Sequence, residues 1–444
     1  MSNLELGYGR GAAQLVLPSR IRFDALDARP LPAISLDEAF RAAWEEPYGI
    51  TDPTDLFRSG DRIVLIVNDH TRPTPTRQIL RLLWDRIDAR VAPAHVTVVV
   101  GTGTHRAPTG DELEAILGPF RTLFDVRIHD CDRDLINVGV TSRGTPVLLN
   151  RVVAEADCVV AIGHIGTHYY AGYSGGRKGI LPGVAGRTTI DANHAQLTDP
   201  RCRACSYCGN PISDEMVEAA AKVPFALTID VVLAGTGGVA KVFLGEPEAA
   251  HAAGRAFWDA NFQVPFDAPY DLVVASAGGH PKDINLYQAH KALYNAMRTV
   301  RDGGILYLAA ACPDGIGHAV FEDWVNRSPD PEDVARLYEK EGFILGGHKA
   351  LYLAQDAKRA TIYLHSELDD DTVRRYYMQP ARTLDPVLAA AKDRFGTSFR
   401  TLIIPHAADL FPIPSSATAW MGLTSPNPVG PSDLNQVLRP ENRS

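Results

Sequence analysis

The sequence predicts an α/β fold made of two domains, each built on a mainly parallel sheet. Apolar runs long enough for buried strands alternate along the chain with segments of helical periodicity, which is the pattern of βαβ units. Two series of such strands occur, separated by the stretch FQVPFDAP at 262–269, which is the best candidate for a linker. With 444 residues, the chain is long enough to bury two cores. We therefore expect a domain over 1–268, a second over 269–424, an active site in the cleft between them, and an extended tail over 425–444.

The strands are predicted where runs of Val, Ile, Leu and Ala end in turn-forming residues, as in DRIVLIVND and YDLVVASAGG. The first series is predicted at 61–69, 96–103, 156–166 and 225–235, and the second at 270–279, 305–312, 360–366 and 399–405. The helices are predicted where capping residues precede a helical pattern, with Asp283 as the N-cap of the fourth. They are expected at 77–88, 111–117, 213–221, 283–300, 331–341 and 386–395.

The composition excludes several classes of partner. Acidic residues outnumber basic ones by 53 to 44, the formal net charge is −9 and no block of Lys or Arg occurs, so neither nucleic acid nor an anionic membrane is expected as a partner. The sequence has no apolar run long enough for a membrane span and no signal-peptide pattern at its start, which predicts a cytoplasmic protein. In that compartment the six cysteines are expected to be reduced thiols.

Polar side chains follow three successive strands of the first domain, in NDHTRPTPT, GTGTHRAPT and GHIGTHYYAGYSGGRKG. The carboxyl ends of parallel strands meet at one edge of a sheet, where ligands bind. The candidate residues at this edge are Asp69, His70, Arg72, Thr104, His105, His164, His168 and Lys178. Basic and protonatable groups at one edge of an acidic protein favour a small carboxylate or phosphate ligand.

The second domain offers a matching group on one predicted helix. Tyr287 and Gln288 lie four and three residues before Lys291, so the three side chains share a helical face. A phenol, an amide and an ammonium group on one face can hold a carboxylate, although a solvated surface would show the same pattern.

Several familiar motifs are present only in part. Cys202, Cys205 and Cys208 form a C-x2-C-x2-C run that could hold zinc or an iron–sulfur cluster, but no fourth cysteine lies nearby. GYSGG is a G-x-S-x-G string centred on Ser174, yet it lies well past the end of its strand, unlike a nucleophile elbow. The loop around Lys178 lacks the Lys-Ser/Thr pair of a phosphate-binding loop.

Two further motifs also fail. GTGTHR has Arg106 where a dinucleotide fingerprint needs its third glycine. A zinc site of His164, His168 and His194 lacks the acidic residue of H-E-x-x-H. None of these patterns identifies a cofactor by itself.

Taken together, the motifs resemble the nickel-dependent lactate racemase family, whose members carry a nickel-pincer nucleotide. The resemblance extends from about Asp61 to Pro405 and is strongest in GTGTHRAPT, HYYAGYSGGRKGILPGVAGRTTIDANH and NLYQAHKAL. It implies that Lys178 is covalently attached to this pyridinium mononucleotide and that His194 is the single protein ligand of nickel. It also implies that the residues lining the cofactor include Gly175, Gly176, Thr102 and Thr104.

The same resemblance implies a racemase or epimerase of a 2-hydroxy acid, of which lactate is one of many. Hydride would pass from Cα to the cofactor and return to the opposite face through a 2-keto acid, with His105 and His168 as general base and acid. The residues implied in holding the substrate are Arg72, Gln288 and Lys291, with Asp69 and Tyr287 beside them. The implied partners are the substrate and cofactor biosynthesis proteins, and a homo-oligomer is left open.

Two features depart from the family pattern. The cysteine run stands where an ordinary polar loop is expected, and the family's aromatic residue near the substrate has no clear match. The nearest region for it is GGHKALYLAQ, with His348, Tyr352 and Gln355. The alternatives are a nicotinamide-dependent 2-hydroxy-acid dehydrogenase and a non-catalytic nucleotide-binding protein.

Overall fold

The computed structural model describes residues 2–18, 21–235 and 238–415. The chain forms two compact units, one of residues 30–260 and the other of residues 1–29 together with those from 261 onward. The tail predicted over 425–444 lies outside the described residues.

The chain begins with strands that belong to the second unit. These are β1 (Ser2–Tyr8), β2 (Gly11–Leu17) and β3 (Phe23–Ala25). β1 and β2 form an antiparallel hairpin, whose Leu6, Leu15 and Leu17 join the core of the second unit. The division therefore differs from the predicted one, which placed the first 29 residues in the first domain.

Ten strands lie in the described part of the unit of residues 30–260. They are β4 (Ile63–Asn68), β5 (Val96–Gly101), β6 (Asp125–Ile128), β7 (Leu135–Val140), β8 (Pro146–Asn150), β9 (Cys158–His164), β10 (Thr167–His168), β11 (Gly172–Tyr173), β12 (Phe225–Leu233) and β13 (Val239–Gly245). Its helices are α1 (Leu36–Glu45), α2 (Thr76–Ile87), α3 (Gly110–Leu117), α4 (Phe120–Leu123), α5 (Arg151–Ala154), α6 (Arg187–His194), α7 (Pro211–Ala220) and α8 (Pro247–Phe262), the last of which ends just past the division. Short 3₁₀ helices occupy Pro53–Leu56, Pro93–His95, Gly176–Gly179 and Ala195–Thr198.

Six of these strands form one sheet in the order β13-β12-β9-β4-β5-β6. All neighbours are parallel except β12 and β13. β4 is central, with Ile63 opposite both Val96 and Cys158. Its sequence IVLIVN is almost wholly buried, because both faces of a parallel sheet are covered by other elements.

The rest of the second unit follows residue 260. Its strands are β14 (Gln263–Phe266), β15 (Tyr270–Ser276), β16 (Val300–Ala309), β17 (Thr361–His365), β18 (Gln379–Pro380), β19 (Thr401–Ile404) and β20 (Phe411–Pro414). Its helices are α9 (Leu286–Met297), α10 (Ala319–Asn326), α11 (Pro331–Glu341), α12 (Gly347–Arg359), α13 (Asp370–Arg375) and α14 (Asp385–Phe395).

The second sheet is parallel throughout, in the order β18-β17-β16-β15-β19-β3. Its chain path turns back between β15 and β19. The turn of the N-terminal hairpin lies against the loop that leaves β15, where the His280 backbone N–H donates to the Gly9 carbonyl at 2.7 Å. The Gly9 N–H donates in turn to Asp283 Oδ2 at 2.7 Å, and the Ser276 hydroxyl donates to the Gly7 carbonyl.

The predicted fold class is confirmed, and each of the eight predicted strands is present. Two predictions are wrong in detail. The stretch 262–269 is not a bare linker, because β14 lies within it and pairs in parallel with β20. Asp283 does not cap α9, since its carboxylate is buried against Gly9 and Ala311 and the cap is Asn285. Among the described residues, no helix is long and apolar enough to cross a membrane.

Candidate active site

The polar residues predicted for the first domain lie around the point where the path of its sheet reverses. From β4 the chain continues to β5 and β6 on one side and to β9 and β12 on the other. Loops leaving β4 and β9 therefore diverge, which in open parallel sheets creates the crevice that binds ligands. The candidate residues of 30–260 lie in the loops that follow β4 and β5 and in the segment that follows β9.

Asp69, directly after β4, orients His105. Asp69 is 3% exposed, and its Oδ2 lies 2.7 Å from Nδ1 of His105. Its Oδ1 accepts hydrogen bonds from the backbone N–H and the hydroxyl of Thr71. Burial would raise the pKa of the Asp69 carboxyl, but the hydrogen bonds from His105 and Thr71 outweigh burial and hold that pKa below its ordinary value.

The ionised Asp69 keeps a proton on Nδ1 of His105, so Nε2 is the nitrogen that can accept a proton. Both oxygens of Asp69 are bonded to protein groups. Sequence analysis grouped Asp69 with the residues that hold the substrate. In the structure its carboxylate instead contacts His105 and Thr71.

Arg72 and Lys178 lie within electrostatic range of each other. Arg72 is exposed, and its guanidinium donates to the hydroxyl of Thr71 at 3.0 Å. Lys178 is half-buried in the 3₁₀ helix Gly176–Gly179. Desolvation, with the charges of Arg177 and Arg72, lowers the pKa of the Lys178 ammonium well below its ordinary value. A lowered pKa favours the neutral amine, which is the nucleophilic form of a lysine.

The glycines around Lys178 make room for protein atoms. Gly175 and Gly176 have φ of +86° and +51°. A Cβ on Gly175 would lie 2.9 Å from an Asp230 oxygen, one on Gly176 3.2 Å from the His251 ring, and one on Gly183 2.2 Å from a backbone carbonyl oxygen. The Gly176 N–H also donates to Asp230 Oδ2 at 2.9 Å. Left-handed backbone and close packing thus explain these glycines without a ligand.

Arg177 anchors the same loop from inside the protein. It is 1% exposed, and its guanidinium donates to the Ala171 carbonyl at 3.0 Å and to the Ser213 hydroxyl at 2.9 Å. Its Nη1 also lies 3.0 Å from Nε2 of His251. Arg177 therefore fixes the backbone beside Lys178.

His194 is the last residue of α6 and is 4% exposed. Desolvation, together with the charge of Lys178, lowers the pKa of His194 to about 3, so the ring is neutral. The ring of Tyr170 lies edge-on to both His194 and His168, with centroid distances of 5.1 and 4.5 Å. Tyr170, which the sequence reasoning did not single out, thus joins the two histidines.

His168 differs from His105 in the bonding of its Nδ1. The backbone N–H of Ala171 donates to Nδ1 of His168 at 3.3 Å. In the neutral ring the proton is therefore on Nε2. His105 presents an accepting Nε2 and His168 a donating one, a difference that sequence alone did not show.

The two threonines of GTGTHR have different surroundings. Thr102 is 3% exposed, and its hydroxyl donates to the His129 carbonyl at 2.8 Å. Thr104 is half-buried beside His105. The hydrogen bond of Thr102 joins the end of β5 to His129, the residue that follows β6.

In the second unit, the three residues predicted to share a helical face and hold a carboxylate lie in the first turns of α9. They are Tyr287, Gln288 and Lys291. Gln288 and Lys291 are exposed and Tyr287 is half-buried, with its ring stacked 4.5 Å from that of His318. Asn285 accepts a hydrogen bond from the Gln288 backbone N–H and so starts the helix. The predicted common face is present.

A lysine that the sequence reasoning missed lies beside this group. Lys349 of α12 is 6% exposed, donates to the Tyr287 carbonyl and lies 3.8 Å from the centre of the Tyr287 ring. Burial, together with the charge of Lys291, lowers the pKa of Lys349 to about 7. Lys349 falls in the GGHKALYLAQ region, where His348 and Tyr352 are buried and Gln355 is exposed.

The structure does not assemble the alternative metal sites. Among the described residues, Asp130, Cys131 and Asp132 form the one cluster whose ligand atoms lie close enough for a shared ion. The cysteine run is absent from it, with Cys202 buried and Cys208 exposed. The histidine triad His164, His168 and His194 is likewise absent. Asp132 is already paired with Arg187, so the remaining cluster resembles an ordinary surface ion pair.

The structure also lacks the geometry of a nucleophile elbow at Ser174 and that of a dinucleotide-binding turn at GTGTHR. The Ser174 hydroxyl donates to the carbonyls of His164 and Gly166 at 3.0 and 3.3 Å, so it serves the local turn. α3 begins at Gly110 with Thr109 as its cap, well after β5 ends at Gly101. A dinucleotide fingerprint instead opens its helix inside the glycine turn.

The chain is similar to curated lactate racemases over most of its length. The family model described as the lactate racemase N-terminal domain matches residues 8–204, and that of the C-terminal domain matches residues 267–411. The lactate racemase of Thermoanaerobacterium thermosaccharolyticum is 31% identical over 92% of this chain and 99% of its own. That of Lactiplantibacillus plantarum is 31% identical over 84% of this chain and 90% of its own.

Solved structures give the same picture. The lactate racemase apoprotein from Thermoanaerobacterium thermosaccharolyticum superposes with a TM-score of 0.85, covering 93% of this chain and 100% of its own at 31% identity. A crystal structure of a Thermotoga maritima protein gives 0.62 at 17% identity, with 87% and 100% covered, and so bears on the fold alone.

Proposed function

We propose, starting from the fact that this chain belongs to the lactate racemase family, that it is a racemase or epimerase of a 2-hydroxy acid using a nickel-pincer nucleotide attached to Lys178. One observation carries the proposal. Within residues 30–260, hydrogen bonds join His105 to Asp69, Asp69 to Thr71 and Thr71 to Arg72, and the Tyr170 ring contacts the rings of His168 and His194. Lys178 lies within electrostatic range of both Arg72 and His194. This grouping of residues that the family resemblance selected within 30–260 supports the proposal.

The residues fit the cofactor by their chemistry. A lysine whose pKa is lowered more readily loses its proton, and the neutral amine can form a covalent bond to an acyl-type carbon, whereas an ammonium group cannot. A neutral imidazole is a good ligand for nickel, and the low pKa of His194 keeps that lone pair available. When bound, the cofactor would supply nickel and an acceptor for the hydride of Cα. Lys178 would hold it covalently and His194 through the metal.

Proton transfer at the substrate hydroxyl would then be the work of two histidines. Nε2 of His105 accepts the hydroxyl proton, and Asp69 stabilises the resulting imidazolium through Nδ1. His168, whose ring contacts that of Tyr170, offers an Nε2 proton. A racemase needs such a pair because either enantiomer must be able to lose and regain its hydroxyl proton.

The carboxylate would be held by cationic and amide groups. Arg72 is an exposed guanidinium that can bind a carboxylate through two hydrogen bonds. Gln288 and Lys291 provide an amide and an ammonium group on one exposed side of α9. Holding the carboxylate leaves Cα and its substituents as the part of the substrate that reacts.

The test is to produce the chain together with a nickel-pincer biosynthesis system. Nickel content, intact mass, the modified peptide and interconversion of enantiomers across a panel of 2-hydroxy acids would be measured for the parent, Lys178→Ala and the exposed control Lys340→Ala. We expect nickel, an adduct on Lys178 and activity in the parent and in Lys340→Ala, and none of them in Lys178→Ala.

Two results would contradict the proposal. One is full activity of a folded Lys178→Ala. The other is an unmodified parent chain when a known lactate racemase is loaded in parallel.

A further inference from the structure

Helix α7, which sequence analysis gave no role, carries several buried polar side chains at its start. Asn210 caps the helix, and Asn210, Ser213 and Glu215 are each at most 1% exposed. Burying such groups is unfavourable unless each has hydrogen-bond partners. Their partners are the segments that carry the candidate active site.

Glu215 binds the chain on both sides of His194. Its Oε2 accepts hydrogen bonds from the side-chain amides of Asn193, at 3.1 Å, and Gln196. Its Oε1 accepts from the Thr141 hydroxyl at 2.6 Å. The Asn193 amide also donates to the Ile212 carbonyl at 3.1 Å, and since both of its partners are acceptors, the orientation of that amide is fixed.

The other two polar residues of α7 hold the neighbours of His194. The Asn210 amide donates to the Tyr170 carbonyl at 2.8 Å, and the Tyr170 ring contacts the His194 ring. The Ser213 hydroxyl accepts from Arg177, the residue before Lys178. One helix thus connects the segments of Lys178, Tyr170 and His194.

From these contacts we infer that Glu215 is a positioning residue that fixes the direction of the His194 ring toward nickel. The inference rests on the proposed function. α6 ends at His194 and a 3₁₀ helix begins at Ala195, so the backbone changes its winding at this histidine. The carboxylate bonds to side chains on both sides of this change, which fixes the backbone of His194 and so the direction in which its side chain leaves the helix.

The test replaces Glu215 by residues that keep its length. Glu215→Met removes both acceptors, whereas in Glu215→Gln the amide oxygen can accept from Asn193 and Gln196 while the amide N–H donates to the Thr141 hydroxyl. Glu218→Met is the matched control, since Glu218 lies on the same helix and accepts from the backbone N–H and hydroxyl of Ser142, in the same loop as Thr141. The proteins are made with the nickel-pincer biosynthesis system.

We measure the adduct mass on Lys178, nickel content, the rate of nickel loss to EDTA, and thermal unfolding. We expect Glu215→Met to keep its adduct but to lose nickel about 10 to 100 times faster than the parent. Glu215→Gln and Glu218→Met should stay close to the parent. If Glu215→Met does not fold, Gln196→Leu removes one side of the clamp and should show a smaller acceleration.

Equal rates of nickel loss in the parent, Glu215→Met and Gln196→Leu would overturn the inference while leaving the proposed function intact. So would loss from Glu218→Met as fast as from Glu215→Met. A parent chain without adduct or nickel would instead refute the proposed function, and the inference with it.

Discussion

The two sheets of this protein reverse their chain path at comparable positions, and the chain fills those positions differently. Around the reversal between β4 and β9, the segments that follow β4, β5 and β9 carry Arg72, His105 and Lys178 respectively. Between β15 and β19 the loop after β15 is bonded to the protein's own hairpin turn, through His280 and Gly9. The same edge of a parallel sheet can therefore carry polar side chains for a ligand or be covered by another segment of the protein.

The largest effect is expected from a substitution that removes the catalytic role of the first edge, between β4 and β9, while the protein stays folded. Asp69→Asn should lower the turnover number by about 10²–10⁴-fold, because an amide that donates to Nδ1 of His105 would move the ring proton to Nε2. The adduct on Lys178 and the nickel content should remain at the parent level. Steady-state kinetics with intact-mass analysis measures both.

The control for this change is Asp85→Asn, on the exposed side of α2, where the carboxylate pairs with Arg81. It should leave turnover unchanged. Parent-like turnover in Asp69→Asn would show that Asp69 does not orient the catalytic base.

At the second edge, the comparison predicts a loss of stability without a direct effect on the cofactor. Gly279 has φ of +77°, and a Cβ there would lie 2.9 Å from the Gly9 carbonyl oxygen. Gly279→Ala should therefore lower the free energy of unfolding by about 2–4 kcal/mol, from backbone strain and displacement of the hairpin. Urea unfolding checks this.

Gly303→Ala separates the two causes. Gly303 has φ of +69° with nothing within 4 Å of its Cβ position, so this variant carries the backbone strain alone. It should lose about 1–2 kcal/mol. Equal losses at Gly279 and Gly303 would mean that the hairpin turn is not packed tightly against the β15 loop.

The first edge should also make stability depend on pH, through the buried Asp230 that accepts a hydrogen bond from Gly176. Asp230 is fully buried, and burial, partly offset by hydrogen bonds from Thr228 and Gly176, raises its pKa to about 6. Between about pH 4 and 6 the folded chain then binds more protons than the unfolded chain, so this carboxyl makes stability fall as pH rises. Unfolding midpoints across that window should show a decline of up to about 3 kcal/mol from this group.

In Asp230→Asn that part of the decline should vanish. Asp259→Asn, which keeps a hydrogen-bonding side chain facing the hydroxyl of Tyr173, serves as the comparison. An unchanged pH profile in Asp230→Asn would show that Asp230 is already ionised below pH 4 in the folded protein.

The smallest expected effect is at Ser276, whose hydroxyl donates to Gly7 and accepts from the Gly278 backbone N–H at 2.8 Å. Ser276→Ala should cost about 1 kcal/mol, the usual net value of such hydrogen bonds. Turnover should not change. A loss of nickel or adduct here would mean that the second edge affects the cofactor after all.

The sequence predicted the strands well because both faces of these sheets are buried. A run such as IVLIVN in β4 needs no knowledge of its neighbours to be recognised. Helix α12 was missed, and its first eight residues are all buried, among them His348 and Lys349, whose polar side chains would be expected at the surface. The hairpin at residues 2–17 could not be assigned to a unit, since its partners lie more than 250 residues later.

The candidate site also contains residues that the sequence predicted and residues that it did not. Asp69, His105, Lys178 and Gln288 stand in short motifs, and a short motif keeps its residues near one another in any fold. Glu215 lies in PISDEMVEAA, where a glutamate is expected to face solvent. Its buried contacts with Asn193 and Thr141 depend on tertiary packing, which no local pattern encodes.

The pairing of the hairpin segment with the second unit also has a consequence for synthesis on the ribosome. β3 pairs with β19, so Phe23 lies opposite Thr401. The strand at residues 23–25 is translated before the first unit and has to wait for a partner made after it. Residues 30–260 can fold as soon as they emerge, whereas the second unit can close only when translation has passed residue 404. A ribosome that stalls between those points would leave the hairpin segment exposed beside an already folded first unit, as a target for chaperones.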